Sequence, residues 1–240
     1  MGFTIVGMRE IRELRLAARR PGRPDRAPAA TAVAEYTGLW GWDVVPGARA
    51  RRGPGPHGRV TCSCGDRDCA APGAHPLAPE RTVPAGATLD QAARAWARTP
   101  GAAVLLPAGG SFDVLEIPET AARCALPRLE RMNIPVGPVA LAPHGRAWFL
   151  VAPDAAAGLP QLLYRLGWDG ARLNLRALGA GHHITAPPSD HAGLGPVRWL
   201  RAPGLETAVS PPPARLLLGT LAYACHRTGP PAAGAGRGSG

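Results

Sequence analysis

Helical spacing of apolar residues marks several stretches of the chain. Residues 88–99 predict an amphipathic helix with Asp90 in its first turn, where a negative charge interacts favourably with the helix dipole. The apolar face of this helix carries Leu89, Ala92, Ala93 and Trp96. Residues 159–168 and residues 214–226 show comparable spacing and predict two further helices.

A fourth helix is predicted at residues 119–133. Leu126, Leu129 and Met132 fall on one face of it, and we expect that face to point inward. Pro127 lies inside this stretch and lacks the backbone N–H that a helix interior uses. We therefore expect Pro127 to kink the helix or to reset its start.

Short apolar runs between these helices predict strands. They cover residues 42–46, 102–107, 112–118, 138–143, 146–153, 171–178, 182–189 and 197–200. Residues 108–110 predict a hairpin turn between the strands at 102–107 and 112–118, and residues 144–146 predict a second hairpin. Strands and helices that alternate in this way predict an α+β or α/β sandwich with a mixed sheet.

Arginine, proline and glycine set the expected limits of the folded part. Residues 1–29 predict a basic arm interrupted by prolines, and residues 228–240 predict a disordered tail of small residues. One domain is expected over residues 30–227, because a chain of 240 residues with 45% hydrophobic content can form a substantial core.

The chain is strongly basic. Its 27 basic residues are all arginine, 17 residues are acidic, and the formal net charge is +10. Such an excess attracts polyanions, and nucleic acid, DNA or RNA, is the polyanion we expect. The alternative is a basic surface with no dedicated ligand. Eleven of the arginines precede residue 60, so much of the charge belongs to the arm and to one loop.

The sequence has no stretch with the character of a signal peptide or a membrane span. Residues 1–26 carry arginines throughout, and the longest apolar stretch, residues 214–225, is too short to cross a bilayer. We expect a cytoplasmic protein with reduced thiols and no membrane partner. Cys124 and Cys225 are then expected to be buried small apolar side chains.

Residues 62–76 concentrate three of the chain's five cysteines and a histidine, which predicts a metal site. The candidate ligands are Cys62, Cys64, Cys69 and His75. Three thiolates and an imidazole match the tetrahedral preference of Zn²⁺. A C-x-C pair followed by one histidine does not fit a DNA-reading finger, so we predict a structural zinc knuckle. A disulfide or free thiols remain the alternative.

The order of the motifs resembles a known family. A GWDVVP strand, the CSCGDRDCAAPGAHP loop, a tryptophan-bearing helix, the HGR turn and an APPS strand end follow one another within residues 30–202. This order is similar to the N-terminal primase-polymerase domain of the archaeo-eukaryotic primase superfamily, found in actinobacterial and phage replication proteins. The resemblance implies an α+β primase-polymerase-like fold with an RRM-like mixed sheet and a zinc-binding loop. It also implies a divalent metal, nucleoside triphosphates and a DNA template.

The resemblance locates the expected catalytic carboxylates. Two-metal nucleotidyl transfer needs clustered carboxylates, and the family carries two aspartates one residue apart on one strand. Glu116 stands at the first of these positions and Pro118 at the second. Asp113 and Glu119 are nearby in the sequence. On a strand, however, Asp113 should point to the face opposite Glu116.

The second motif of the family is a glycine- and arginine-containing turn with a histidine that contacts the nucleotide phosphates. Gly145 and Arg146 match the turn, whereas Ala147 stands at the histidine position and His144 precedes the turn. An exposed Trp148 beside Arg146 would suit a stacked base.

The third motif expects an acidic residue followed by an arginine, and this chain has Asn174 and Arg176. Asparagine brings no charge for Mg²⁺. His182 and His183 follow on the next predicted strand. Because neighbouring strand residues point to opposite faces, we expect at most one of these histidines to line a given cleft.

These departures predict a primase-polymerase-like protein that binds nucleic acid and whose nucleotidyl transfer is lost or weak. The degenerate catalytic residues would be Asp113, Glu116 and Asn174, and the residues binding nucleic acid or nucleotide would be Arg146, Arg176, His182 and His183. Zinc would be structural, and Mg²⁺ or Mn²⁺ would be needed only if activity survives. The alternatives are an active enzyme with rearranged ligands, such as Asp113, Glu116 and Glu119, and a protein-interaction scaffold.

Overall fold

The computed structural model describes residues 27–55 and 58–229, and in residues 27 and 28 the backbone alone. Almost all of the predicted basic arm and of the predicted disordered tail therefore lies outside the described residues. Within the described part, no helix combines the length and the apolar composition that a transmembrane span requires.

The elements follow one another in short segments. The helices are α1 (Ala27–Gly38), α2 (Leu89–Ala97), α3 (Glu119–Arg131), α4 (Ala155–Arg165), α5 (Leu205–Val209) and α6 (Ala214–Thr228), with a 3-10 turn at Pro79–Arg81. The strands are β1 (Val45–Gly47), β2 (Ala50–Arg52), β3 (Val60–Cys62), β4 (Ala103–Pro107), β5 (Asp113–Pro118), β6 (Val139–Ala142), β7 (Arg146–Val151), β8 (Arg176–Leu178), β9 (His183–Thr185) and β10 (Arg198–Arg201).

The strands form three antiparallel assemblies. A five-stranded sheet has the order β10-β6-β7-β5-β8, a three-stranded sheet has the order β1-β4-β9, and β2 pairs with β3 in a two-stranded ribbon. The α+β class is confirmed. The predicted mixed sheet is wrong, because every strand pair of these sheets is antiparallel. Strand β7 follows β6 through a short hairpin and pairs with β5 in the antiparallel direction. A crossover connection would instead have produced a parallel pair.

The turn after β4 separates the two larger sheets and does not form the predicted hairpin. The backbone N–H of Gly109 donates to the carbonyl of Phe112 at 2.8 Å, so the chain does turn there. Yet β4 pairs with β1 and β9, whereas β5 pairs with β7 and β8. The turn lies where the sequence predicts it, but the strands on either side of it pair with distant parts of the chain.

The five-stranded sheet is buried on both faces. One face packs against α3, α4 and α6 around Leu115, Phe149 and Leu217. The other face packs against the three-stranded sheet, α1 and α2 around Trp42 and Leu106. Residues on alternate positions of β5 and β7 therefore enter different cores.

Local sequence explains the helix starts only in part. Thr88 and Gln91 form a reciprocal capping box at the start of α2, with a 3.3 Å bond from the Gln91 N–H and a 2.8 Å bond from the Thr88 N–H.

Helix α3 continues through Pro127, and Met132, expected inward, is 45% exposed just beyond the helix end. Cys225 is buried as predicted, but Cys124 is exposed on α3.

Candidate active-site cleft and metal loop

Residues 62–75 form a loop in which four candidate ligands converge. The ligand atoms of Cys62, Cys64, Cys69 and His75 all lie within 4.8 Å of one another. Strand β3 ends at Cys62, and the chain then turns through Gly65, whose φ is +84°. At Gly73, with φ +71°, an added Cβ would lie 2.6 Å from the backbone nitrogen of Ala50, so the loop packs tightly on the ribbon.

The imidazole of His75 is oriented for ligation. Its Nδ1 donates to the carbonyl of Pro76 at 2.9 Å, because a carbonyl can only accept, and its Nε2 lies 3.3 Å from the Cys62 sulfur. The bond from Nδ1 to the Pro76 carbonyl fixes the tautomer whose Nε2 lone pair can bind a metal. The four side chains therefore fit a zinc ion, as the donor set predicts.

The thiols of the loop differ in their readiness to ionise. Burial raises the pKa of Cys62, but hydrogen bonds from the backbone of Cys64 and Gly73 outweigh it and lower that pKa to about 6. Burial and the neighbouring thiol of Cys62 raise the pKa of Cys69 to about 11. One thiolate thus forms readily even without a metal, which gives the loop an initial anionic ligand.

Glu116 is the acidic centre of a polar cluster on the face of the five-stranded sheet that also packs against the three-stranded sheet, and we call this side of the sheet the cleft side. It is 3% exposed and lies on β5 directly opposite Trp148 of β7 and Arg176 of β8. The Trp148 indole donates to its Oε2 at 2.9 Å, and Arg146 donates to its Oε1 at 2.7 Å. Arg176 donates to both oxygens, at 3.0 and 2.9 Å.

These contacts neutralise Glu116 internally. Burial raises its pKa, but hydrogen bonds from Arg176, Trp148 and Arg146 outweigh that effect and hold the pKa below its ordinary value. Arg146 also donates to Oδ1 of Asn174 at 2.8 Å. We call these five residues the Glu116 network. It brings together four of the predicted site residues, namely Glu116, Arg146, Asn174 and Arg176.

The other nearby carboxylates have separate structural partners. Asp113 lies on the opposite face of β5, as strand alternation predicts, and its Oδ2 accepts from the N–H of Ala156 at the start of α4 at 2.8 Å. Its Oδ1 has no hydrogen-bond partner among the described residues. Glu119 pairs with Arg123 one helical turn later at 2.7 Å. Neither acid joins Glu116.

The register of β7 decides which residues of the second motif lie on the same face as Glu116. Ala147 is fully buried among the residues that pack on α3 and α6, on the face away from Glu116. Arg146 and Trp148 occupy the cleft face instead. Trp148 is only 3% exposed, so it serves Glu116 and is not the exposed stacking platform considered above.

Two histidines next to the network were not predicted as site residues. His144 and His191 stack with ring centroids 4.7 Å apart, and His191 also meets the Trp148 ring edge-on at 5.5 Å. The Nδ1 of His191 lies 2.8 Å from the hydroxyl of Thr185. Burial and His144 lower the pKa of His191 to about 4. In the sequence, only the position of His191, two residues after the APPS strand end, could have indicated that it lies near the site.

His182 and His183 lie away from these contacts. Nδ1 of His182 is 3.3 Å from the carbonyl of Gly179, and the pKa of His183 is lowered by burial and by His182. No interaction found for either side chain in residues 58–229 reaches Glu116. Of the residues predicted to bind nucleic acid or nucleotide, the two arginines therefore contact Glu116, and the two histidines do not.

Residues 33–215 match the family model of the bifunctional DNA primase/polymerase N-terminal domain. The chain belongs to this family. A search of curated proteins and a search of solved structures each returned no match. Membership implies nucleic acid and nucleotides as partners and divalent metal in family chemistry, and the match covers both the metal loop and the Glu116 network.

Proposed function

We propose that this protein is a nucleic-acid-binding member of the primase-polymerase family in which nucleotidyl transfer is lost or nearly lost. The observation that carries the proposal is the engagement of Glu116 by Arg146, Arg176 and Trp148. A catalytic carboxylate must offer its oxygens to a metal ion. Both oxygens of Glu116 are occupied by protein donors.

The charge of the Glu116 network also opposes a divalent cation. One carboxylate faces two guanidinium groups, so the network carries one net positive charge. The remaining polar oxygen, Oδ1 of Asn174, already accepts from Arg146. Two metal ions about 3.5–4 Å apart require several carboxylates around them, and this cleft supplies one. Asp113 and Glu119, which a rearranged catalytic set would use, lie in other contacts.

The same charge favours an anion. The Arg176 side chain is 64% exposed and keeps donors free on its solvent side, whereas Arg146 is largely buried. A guanidinium held at a fixed angle by a carboxylate can present its other N–H groups to a phosphate. We infer that a nucleotide or a nucleic-acid phosphate binds at Arg176, without the metal that catalysis would need.

A primer-synthesis assay tests the loss of activity. Wild-type protein with a single-stranded template, nucleotides and Mg²⁺ or Mn²⁺ should give no product, and a fluorescent triphosphate should still bind in metal-free buffer and bind more weakly to Arg176→Gln. Robust synthesis that survives in Glu119→Gln and disappears in folded Glu116→Gln would refute the proposal.

A gain-of-function variant tests whether the cleft is intact. Pro118 and Asn174 should share the cleft side with Glu116, because strand alternation and the Asn174 contact to Arg146 place them there. The variant Pro118→Asp, Trp148→His, Asn174→Asp restores acids and a histidine on that side. The matched control carries Ala147→His in place of Trp148→His, because position 147 faces the helices. Activity in the Trp148→His triple variant and not in this control would support a fold that kept its cleft and lost its chemistry.

A further inference from the structure

The segment around the metal loop carries a dense set of exposed arginines. We define the metal lobe as residues 49–55 and 58–75, which contain the β2–β3 ribbon and the loop. Its arginines are Arg49, Arg51, Arg52, Arg59 and Arg67, and all five are exposed. Its acids are Asp66 and Asp68. A zinc ion with three thiolates would add one negative charge, so the lobe keeps two net positive charges.

The guanidinium groups of the lobe are not neutralised by carboxylates. Arg52 donates to the carbonyls of Gly193 and Gly58, and Arg59 donates to the carbonyl of Arg67. These acceptors are uncharged and use only some of the five N–H groups that each arginine carries. Among the described residues, none of the five arginines forms an ion pair.

Two of these arginines border a cavity of about 370 Å³. Arg49 and Arg51 line it on the metal-lobe side, and residues 101–103 and 188–190 line it on the other. The Arg49 guanidinium lies against Gly101, where an added Cβ would be 2.7 Å from its Nη1.

One acid lines the same cavity, but the backbone already uses its oxygens. Oδ1 of Asp190 accepts from the Gly193 N–H at 2.6 Å, and Oδ2 accepts from the Gly195 N–H at 2.8 Å. The lining of the cavity therefore carries two positive charges and one negative charge, and the oxygens of that one acid already have donors. Its volume falls in the range of about 300–1,000 Å³ that is typical of small-ligand sites.

We propose that this cavity and the arginines of the metal lobe bind the phosphate backbone of a single-stranded nucleic acid. A concave site of this size admits one nucleotide unit of a flexible strand, whereas the convex backbone of a duplex would reach only its rim. No aromatic side chain lines the cavity among the described residues, so the contact is electrostatic and independent of base sequence.

The proposed surface is linked to the cleft through one loop. Residues 189–196 support the metal lobe through the Arg52 bond to Gly193 at 3.2 Å, and the same loop carries His191 to the edge of the Glu116 network. A strand on the lobe thus lies beside the loop that borders the cleft. The inference rests on the proposed function only for the class of ligand, because it does not require Arg176 to bind.

The experiment compares two double variants of the full chain that lose the same charge. Arg49→Gln with Arg51→Gln alters the proposed surface, and Arg165→Gln with Arg215→Gln alters exposed arginines on α4 and α6. Binding of a fluorescein-labelled oligothymidine is followed by anisotropy over a range of salt. Each lost phosphate contact reduces the salt slope of a single strand by about 0.7.

We expect the first pair to weaken binding at least about fivefold and to reduce the salt slope by about 1.4, with smaller changes in the second pair. Equal effects of the two pairs would overturn the inference. If the first pair loses zinc, Arg51→Gln alone decides the question against Arg215→Gln. Triphosphate binding that falls in Arg176→Gln but not in the Arg49 and Arg51 variant separates a failure here from a failure of the proposed cleft.

Discussion

The metal loop and the Glu116 network are two polar centres that differ in how the protein surrounds their possible ligand atoms. In the loop, four ligand atoms converge within 4.8 Å, and the imidazole is oriented by a backbone carbonyl. In the cleft, a buried acid is surrounded by two arginines and an indole. The first arrangement presents four ligand atoms that one cation could bind, whereas in the second the partners of the carboxylate are guanidinium groups and an indole.

Under the proposed function, this difference explains why the ligand set of the loop is complete while the carboxylate set of a two-metal site is not. A metal that holds a loop together contributes directly to folding, so its ligands are constrained by stability. A catalytic carboxylate is held in an electrostatically costly position that protein donors can satisfy instead. We therefore expect Glu116 to stabilise the fold, so that its removal should lower the free energy of unfolding.

The largest expected effect is loss of the loop's metal. Cys64→Ala removes an exposed ligand with little packing of its own, and we expect the bound zinc to fall from about one per chain to well below it, with a clear drop in melting temperature. Metal analysis and thermal unfolding measure both. Cys124→Ala, another exposed thiol, is the control. Equal zinc content in the two variants would contradict the assignment.

A smaller but substantial effect is expected at Glu116. Glu116→Gln leaves the largely buried guanidinium group of Arg146 without its counter-ion, and we expect the free energy of unfolding to fall by about 3 kcal/mol. Glu119→Gln breaks an exposed pair and should cost at most about 1 kcal/mol. Urea denaturation compares the two. A neutral or stabilising Glu116→Gln would show that the acid is not structural.

A pH-dependent effect should follow from His191. Its pKa is about 4 in the folded protein and 6.5 in the reference state, so the unfolded chain binds more protons between these values. Stability is therefore full above pH 6.5 and falls as the pH drops toward 4. His191→Gln should flatten this part of the stability curve.

The control for this effect is His226→Gln, because His226 lies on the exposed end of α6. Glu116 acts at lower pH: its lowered pKa makes its contribution disappear only below the ordinary range of a glutamate. A slope between pH 6.5 and 4 that persists in His191→Gln and vanishes in His226→Gln would contradict the assignment.

Local patterns predicted much of the fold because they depend on neighbouring residues. The helix at residues 88–99 and the β6–β7 hairpin are present, since a capping box and a short turn are encoded within a few positions. The partner of β4 was missed because β1 and β9 come from distant parts of the chain, and the mixed sheet was wrong for the same reason.

The site was predictable to the extent that its residues carried a motif. Spacing alone predicted the convergence of Cys62 and His75, and the family resemblance led to Glu116 and Arg176. The role of His191 depends on stacking against His144 across two loops, which no sequence period encodes. The facing of Ala147 depends on the register of β7, and a shift of one residue reverses every side chain of a strand.

Under the proposed loss of nucleotidyl transfer, the Glu116 network has an evolutionary consequence, because it makes that loss difficult to reverse. A descendant with an acid at position 118 alone would still have two arginines bound to Glu116. A descendant without one of these arginines would leave the buried carboxylate with fewer partners before a metal ion could bind. Each route back to catalysis passes through an intermediate that is inactive or less stable. Selection for activity would thus need several changes at once, which makes retention of the fold for binding the more accessible fate.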